Sequence, residues 1–378
     1  MDCVPCGLLS DTSPLFATPS IDYPSAPTVG LLSQDFRDLE KACVYCVLAL
    51  GPRTQAENAS SILVARSNDF AFHYESFDVT TNFHRWVHWY VPELPEMQAL
   101  AERLDLLLAG ATLLRIESLG FSSLKTYAPA HESVLDQRLV SVTRRAKYLV
   151  WEFDDGVHVL LHLSQAGRID IERPPKTSRS RGSAVRFVFG HDRSKYGGES
   201  IGVLMREYGT HRKASWWVLA PHDQGPLASL GPEPGSEAFA DIILTSDSRR
   251  RLTTDLRDQH VLAGIGRGWG DDILHRARLS PFASLNSLSS QQREALLKSI
   301  NDVLADALEL ERTREGGLSE AKLGGRFSVH GRSGEVCPAA CGDTLRRVSF
   351  ENYEMTYCPT CQTGKRVLAD RRMSRILK

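Results

Sequence analysis

The chain of 378 residues lacks any apolar run of membrane-spanning length, and the longest candidate in its first ninety residues, Ala42 to Leu50, falls well short. The opening twenty residues also lack the basic n-region and apolar h-region of a secretory signal. With neither, a cytoplasmic protein with no membrane partner is expected. A net excess of either charge is lacking too, since 45 Lys+Arg face 46 Asp+Glu. Nor is a disulfide framework indicated: the eight cysteines fall into four close pairs, a pattern that favours metal binding in a reducing compartment.

What is present describes two domains and a small module, with 42% hydrophobic and 24% charged residues over a length that supports more than one core. The charge is unevenly spread. Residues 1–90 hold five Lys+Arg (Arg37, Lys41, Arg53, Arg66, Arg85) against ten Asp+Glu, a net of −5, leaving 40 against 36, a net of +4, for residues 91–378. The second part alone has the balance that suits a DNA partner. Cys337-x3-Cys341 and Cys358-x2-Cys361, separated by sixteen residues, have the spacing of two knuckles that aim four thiolates at one tetrahedral, structural zinc ion. In the leader, Cys3-x2-Cys6 and Cys43-x2-Cys46 are similarly spaced, but the surrounding segment is Pro/Ser/Thr-rich with little periodicity. A disordered extension or a start placed too early is the expectation there.

Downstream, Pro95 can open a helix whose apolar positions are Met97, Leu100, Leu104 and Leu107, with Gly110 ending it in a left-handed turn. From Leu113 to about Leu219, LLRIESLG, RLVSVTRRAKYLVWEF, VHVLLHLS, AVRFVFG and ASWWVLA read as strands of a two-sheet sandwich with one buried face per sheet. QGPLASLGPEPGSEAF reads as a linker, and from Ala240 to about Arg312 the pattern is helical. An α+β multidomain fold follows, with expected divisions at 91–222 (sandwich with flanking helix), 223–239 (linker), 240–328 (helical domain), 329–364 (zinc finger) and 365–378 (basic tail).

PELPEMQAL from Pro92, TRRAKYLV around Lys147, LGPEP, LAGIGRGWGDDIL and the four-cysteine finger together resemble the formamidopyrimidine-DNA glycosylase and endonuclease VIII family of base-excision repair enzymes across nearly all of 91–378. The resemblance implies a helix-two-turns-helix motif in the helical domain, damaged double-stranded DNA as partner, and a monomer, nucleoid-associated in a bacterium. It also implies a glycosylase with abasic-site lyase activity, in which the secondary amine of an N-terminal proline attacks the sugar. Inside a chain that nitrogen is a tertiary amide with no useful lone pair. Val91 stands where the family has its initiator methionine, and a GTG valine codon is read as methionine when it begins translation. A functional start at Val91 is therefore expected.

By the same resemblance Pro92 is the nucleophile, Glu93 the proton donor and acceptor at the sugar, and Lys147 a phosphate-facing lysine. Glu96 would orient this end of the chain, or act simply as a first-turn glutamate favourable to the helix dipole. Gly266 and Arg267 would anchor a phosphate at a helix N-terminus, with Arg267 in place of the usual asparagine. Gln165, Arg206 and Tyr208 match the side chains that fill the space left by an extruded nucleotide, Gln165 standing for a methionine and Tyr208 for a phenylalanine. Tyr353 stands where the finger usually carries a phosphate-gripping arginine, so that Arg346 or Arg347 substitutes from the same hairpin or product binding is weaker. Two other readings are carried: an endonuclease VIII-like glycosylase for oxidised pyrimidines, and a lesion- or abasic-DNA-binding protein without lyase chemistry if the Pro92 nitrogen stays in a peptide bond.

Overall fold

The computed structural model describes residues 91–190, 198–209, 212–314, 325–350 and 353–369. The leader with its two cysteine pairs, and the tail beyond residue 369, lie outside the described residues. Among the described residues, no helix is long and apolar enough to cross a membrane.

Helix α1 (Leu94–Leu108) begins at the PELPE run with Pro95 in its first turn, where a missing N–H costs nothing. It buries Met97, Leu100, Leu104 and Leu108, and Gly110 follows at a φ of 83°, the left-handed turn that stops it. Eight strands come next: β1 (Thr112–Ser118), β2 (Leu139–Arg145), β3 (Tyr148–Phe153), β4 (His158–His162), β5 (Gly167–Glu172), β6 (Ser183–Gly190), β7 (Ser200–Glu207) and β8 (Ser215–Leu219). They form two four-stranded sheets, ordered β1-β6-β7-β5 and β2-β3-β4-β8, in which every pairing is antiparallel. Leu149, Trp151, Phe153, Phe187, Phe189 and Trp216 fill the shared core.

The structure departs from the sequence reading at two places in this domain. RLVSVTRRAKYLVWEF is two strands, broken where Ala146 takes a φ of 52°, so Lys147 lies in the β2–β3 turn and not within a strand. Strand β6 is covered on both faces: outward-pointing Arg186 is buried because its guanidinium meets Glu172 at 2.8 Å and Glu117 at 2.5 Å.

A second core gathers α2 (Glu237–Thr245), the single turn α3 (Leu252–Asp255), α4 (Arg267–Arg276) and the long α5 (Ser290–Thr313) around Phe239, Ile265, Trp269, Ile273, Leu296 and Ile300. LTTDLRDQHVLAGIG is helical only at its start; the chain then turns through hydrogen bonds such as Leu262 N–H to Asp258 O at 2.8 Å before α4 begins. The last module is a hairpin of β9 (Arg346–Phe350) and β10 (Tyr353–Tyr357) followed by the short α6 (Pro359–Thr363).

Candidate active site and metal centre

Glu93 is the residue just before α1, and it is buried. Its carboxylate accepts hydrogen bonds from the backbone N–H groups of Gly266 at 2.6 Å, Gly268 at 2.9 Å and Trp269 at 3.4 Å, at the start of α4. Orphan donors at a helix N-terminus with its partial positive charge are a good seat for a carboxylate. A side chain at 266 would not fit: a Cβ there would stand 2.3 Å from the Glu93 carboxyl carbon. Gly264, at a φ of 97°, makes the left-handed turn whose carbonyl accepts from Leu94 N–H at 3.0 Å. Two parts of the chain 173 residues apart are thus joined at Glu93 and Gly266.

Glu96 supports this arrangement from one turn further along α1. Its carboxylate accepts from the Glu93 N–H at 2.9 Å and from the Trp269 indole at 3.1 Å, with the Arg326 guanidinium 3.7 Å away. Burial, helped by the nearby carboxylates of Glu93 and Glu311, pushes its pKa up to about 7 against the opposing pull of Arg326.

Lys147 projects from the β2–β3 turn, and its Nζ donates to the Ile265 carbonyl at 2.8 Å. Burial lowers its pKa, while Glu93 and Glu96 work in the opposite direction. The turn itself is held from the linker: Glu233 of LGPEP accepts from Arg144 at 2.9 Å and from the Ala146 N–H, and it forms an ion pair with Arg145 at 2.9 Å. Nearby His162 has its pKa lowered to about 4, first by burial and then by Lys147.

These elements line an open cavity of about 420 Å³ whose walls include Val91, Glu93, Lys147, Gly266, Arg267 and Tyr353. Pro92 is buried beside it. Val91, joined to the Pro92 nitrogen, occupies part of the wall. Gln165, Arg206 and Tyr208 form a separate group at one end of the β5–β7 pair. Gln165 is exposed in the β4–β5 turn, Tyr208 N–H donates to Ala166 O at 3.0 Å, and Arg206 lies over the Tyr208 ring at 4.4 Å while pairing with Asp170 at 2.9 Å.

Two sequence expectations take a different form. The Gly266 N–H faces the Glu93 carboxylate, which leaves the exposed side chain of Arg267 as the part of that turn open to an outside anion. Arg346 and Arg347 do not line the cavity; they stand at the far end of the hairpin from Tyr353, and Arg347 pairs with Glu354 at 3.4 Å. The cation at Tyr353 is instead Arg257, whose guanidinium lies 4.0 Å from the centre of the phenol ring. Nothing in the sequence marks Arg257, because its relation to Tyr353 exists only once the helical segment and the hairpin meet.

Asp271 and Asp272 lie within the LAGIGRGWGDDIL motif, but their partners in the finger cannot be read from it. Asp272 accepts from the backbone N–H groups of Ser328, Val329 and His330 at 2.6, 3.0 and 3.0 Å, and burial raises its pKa to about 6. Asp271 accepts from Thr356 N–H at 2.9 Å and meets His330 at 2.7 Å. Burial alone would lower the His330 pKa, but Asp271 holds it above its ordinary value.

The four cysteines of the finger converge, with all four Sγ atoms within 4.8 Å of one another. Cys337 and Cys361 are 3.8 Å apart and Cys341 and Cys358 are 3.4 Å apart. A tetrahedral zinc with bonds of about 2.3 Å needs sulfurs roughly 3.8 Å apart, so Cys337, Cys341, Cys358 and Cys361 fit a structural zinc site with no position left for substrate.

Comparison with known proteins bears on the family and the fold. The profile of the formamidopyrimidine-DNA glycosylase N-terminal domain matches residues 91–197, and that of the formamidopyrimidine-DNA glycosylase H2TH domain matches 230–316. The formamidopyrimidine-DNA glycosylase of Thermus thermophilus is 32% identical over 282 residues, covering 72% of this chain and 98% of that protein. The crystal structure of the protein from that organism superposes with a TM-score of 0.59 at 28% identity, over 72% of this chain and 98% of that one. The Lactococcus lactis glycosylase, solved non-covalently bound to DNA containing an abasic site, has the same fold with a TM-score of 0.63 at 21% identity, over 72% of this chain and all of that one. The chain belongs to the formamidopyrimidine-DNA glycosylase family.

Proposed function

We propose that the chain removes oxidised bases from duplex DNA and then cleaves the strand, with the Pro92 nitrogen as nucleophile and formamidopyrimidine and 8-oxoguanine as the favoured lesions. The observation that carries this reading is the cavity beside Pro92, lined by both Glu93 and Lys147, in which Val91 fills the wall next to the nitrogen. A chain beginning at Pro92 would open the cavity at a free secondary amine. An α-amino group with a pKa near 8 is about a tenth unprotonated at neutral pH, whereas a solvated lysine near 10.4 is unprotonated in fewer than about one molecule in a thousand.

In the proposed reaction the amine lone pair forms a bond to C1′, the glycosidic bond breaks, and the base leaves with a proton. Opening of the sugar ring transfers a proton to its ring oxygen and yields an iminium between C1′ and Pro92. Loss of a C2′ proton then expels the 3′ phosphate, and a second elimination expels the 5′ phosphate. Glu93, held rigidly by the α4 N–H groups, serves as donor and then acceptor beside that centre. Lys147 and Arg267 hold phosphates, and Gln165, Arg206 and Tyr208 fill the space of the extruded nucleotide. A nucleoid location and a monomeric state fit a duplex substrate.

The peptide bond between Val91 and Pro92 also favours the second reading, binding of lesion or abasic DNA without lyase chemistry. Borohydride trapping on a panel of duplexes with single lesions decides between them. The chain beginning at Met1 should bind lesion DNA but give little adduct, whereas a form started with methionine at position 91 and then cleaved to Pro92 should trap efficiently, and its Glu93→Gln variant should lose strand cleavage. Efficient trapping by the long form, with mass spectrometry showing the leader intact and the adduct on Lys147, would overturn the nucleophile and the start together.

A further inference from the structure

The lining of the cavity carries an excess of positive charge. Lys147, Arg250, Arg257 and Arg267 line it against the carboxylates of Glu93 and Asp258. Arg250 is tied to Asp255 at 3.3 Å and Asp258 at 2.8 Å, which neutralises much of its charge. Glu93 already accepts from the backbone N–H groups of Gly266, Gly268 and Trp269, which offset part of its charge. The other two guanidinium groups, those of Arg257 and Arg267, stand 4.0 and 5.9 Å from the centre of the Tyr353 ring, and that residue is 42% exposed.

Arg257 is the better fixed of the two. Its Nε donates to the Thr253 carbonyl at 2.7 Å, and its guanidinium lies over the phenol, so two contacts hold its position before any ligand arrives. A weakly hydrated, flat cation held on an aromatic face at the mouth of a site is suited to a phosphate oxygen pair. Proximity to Lys147 adds to this: Arg257 and Arg267 both act to lower the Lys147 pKa, so the three cations share one region of field.

We propose that Arg257, positioned by the ring of Tyr353, binds a phosphodiester of the DNA strand that enters the cavity. The zinc hairpin then contributes an aromatic platform, and the helical segment ahead of α4 contributes the charge. This inference rests on the reading of the chain as a duplex-binding protein.

The test is a salt titration of binding, by fluorescence anisotropy, to a duplex with one tetrahydrofuran abasic analogue. Arg257→Gln, which removes the charge while leaving a donor for Thr253, should weaken binding about tenfold near 0.15 M salt and make the slope of log K against log salt shallower by about one. Arg257→Lys should recover most of that slope. Tyr353→Phe should keep both affinity and slope, because the ring face is retained, while Tyr353→Ala should cost about threefold as the guanidinium loses its support. A wild-type slope in Arg257→Gln, with thermal unfolding confirming that it is folded, would sink the inference alone. A loss in Tyr353→Phe equal to that in Tyr353→Ala would assign the contact to the phenol hydroxyl and overturn the platform role. If the unaltered chain shows no duplex binding at all, the functional reading fails and takes this inference with it.

Discussion

Glu96 shows how one buried side chain can couple the site to pH. Its carboxyl is enclosed between Glu93, Trp269 and Arg326, and its pKa is raised to about 7 from an ordinary value of 4.5. A carboxyl with a raised pKa binds its proton more tightly in the folded state than in the unfolded one. Folding stability from this group is therefore fully present below about pH 4.5 and is lost progressively as pH rises towards 7, by up to ~3 kcal/mol. Replacing it by Gln should remove that part of the pH dependence. Urea unfolding of the wild type and Glu96→Gln at pH 5 and pH 8 would check this: the wild type should lose relative stability across the interval, and parallel behaviour of the two proteins would exclude Glu96 as the titrating group.

At the scale of elements, the feature that places Lys147 is the junction of the linker with the β2–β3 turn. Glu233 meets two guanidinium groups and one backbone N–H, so its removal leaves the Ala146 N–H without its acceptor and two partly buried cations without their carboxylate. Glu233→Ala should destabilise the folded chain by about 2 kcal/mol. Because the turn also carries Lys147, read as a phosphate-holding cation, duplex affinity should fall and its salt dependence flatten as well. Denaturant unfolding together with a salt titration of duplex binding measures both effects, and an unchanged salt slope would mean that the junction stabilises without positioning the lysine.

For the whole molecule, the finger is docked as well as folded. Asp271 and Asp272 of α4 grip its backbone, and Gln362 bonds both to Cys358 N–H at 2.8 Å and to the Leu279 carbonyl at 2.9 Å. Its own apolar clusters are small, Val348, Met355, Tyr357 and Leu368 in one and Val329 and Leu345 beside the cysteines in the other. A module of that size gains most of its folding energy from its metal. Removing zinc, or changing Cys358→Ser, should abolish duplex binding while the sandwich, with its own core, stays folded. Circular dichroism and binding measured after chelation would show this, and unchanged binding with zinc loss confirmed would count against a DNA-holding role for the finger.

Much of this is legible along the chain because it is carried by local pattern. The helix from Leu94, the sandwich strands and the two cysteine knuckles depend on periodicity, turn residues and short spacing, all properties of neighbours in sequence. Two strands, β5 and β7, have a less distinct pattern and escape such a reading, and the run through Arg144–Lys147 reads as continuous because a left-handed Ala146 leaves no mark in composition. The identities of Pro92, Glu93, Lys147 and Gly266 can be picked out by resemblance, but not that the glycine turn spends its N–H groups on Glu93. Nor can the Arg257 contact with Tyr353 be read, since it joins residues far apart in the chain. Sequence by itself determined most of the elements and which donors a zinc would find, since those follow from local preference. Tertiary structure decided which charge faces which, because hydrogen bonds and ring contacts at roughly 3–4 Å depend on the packing of separate elements.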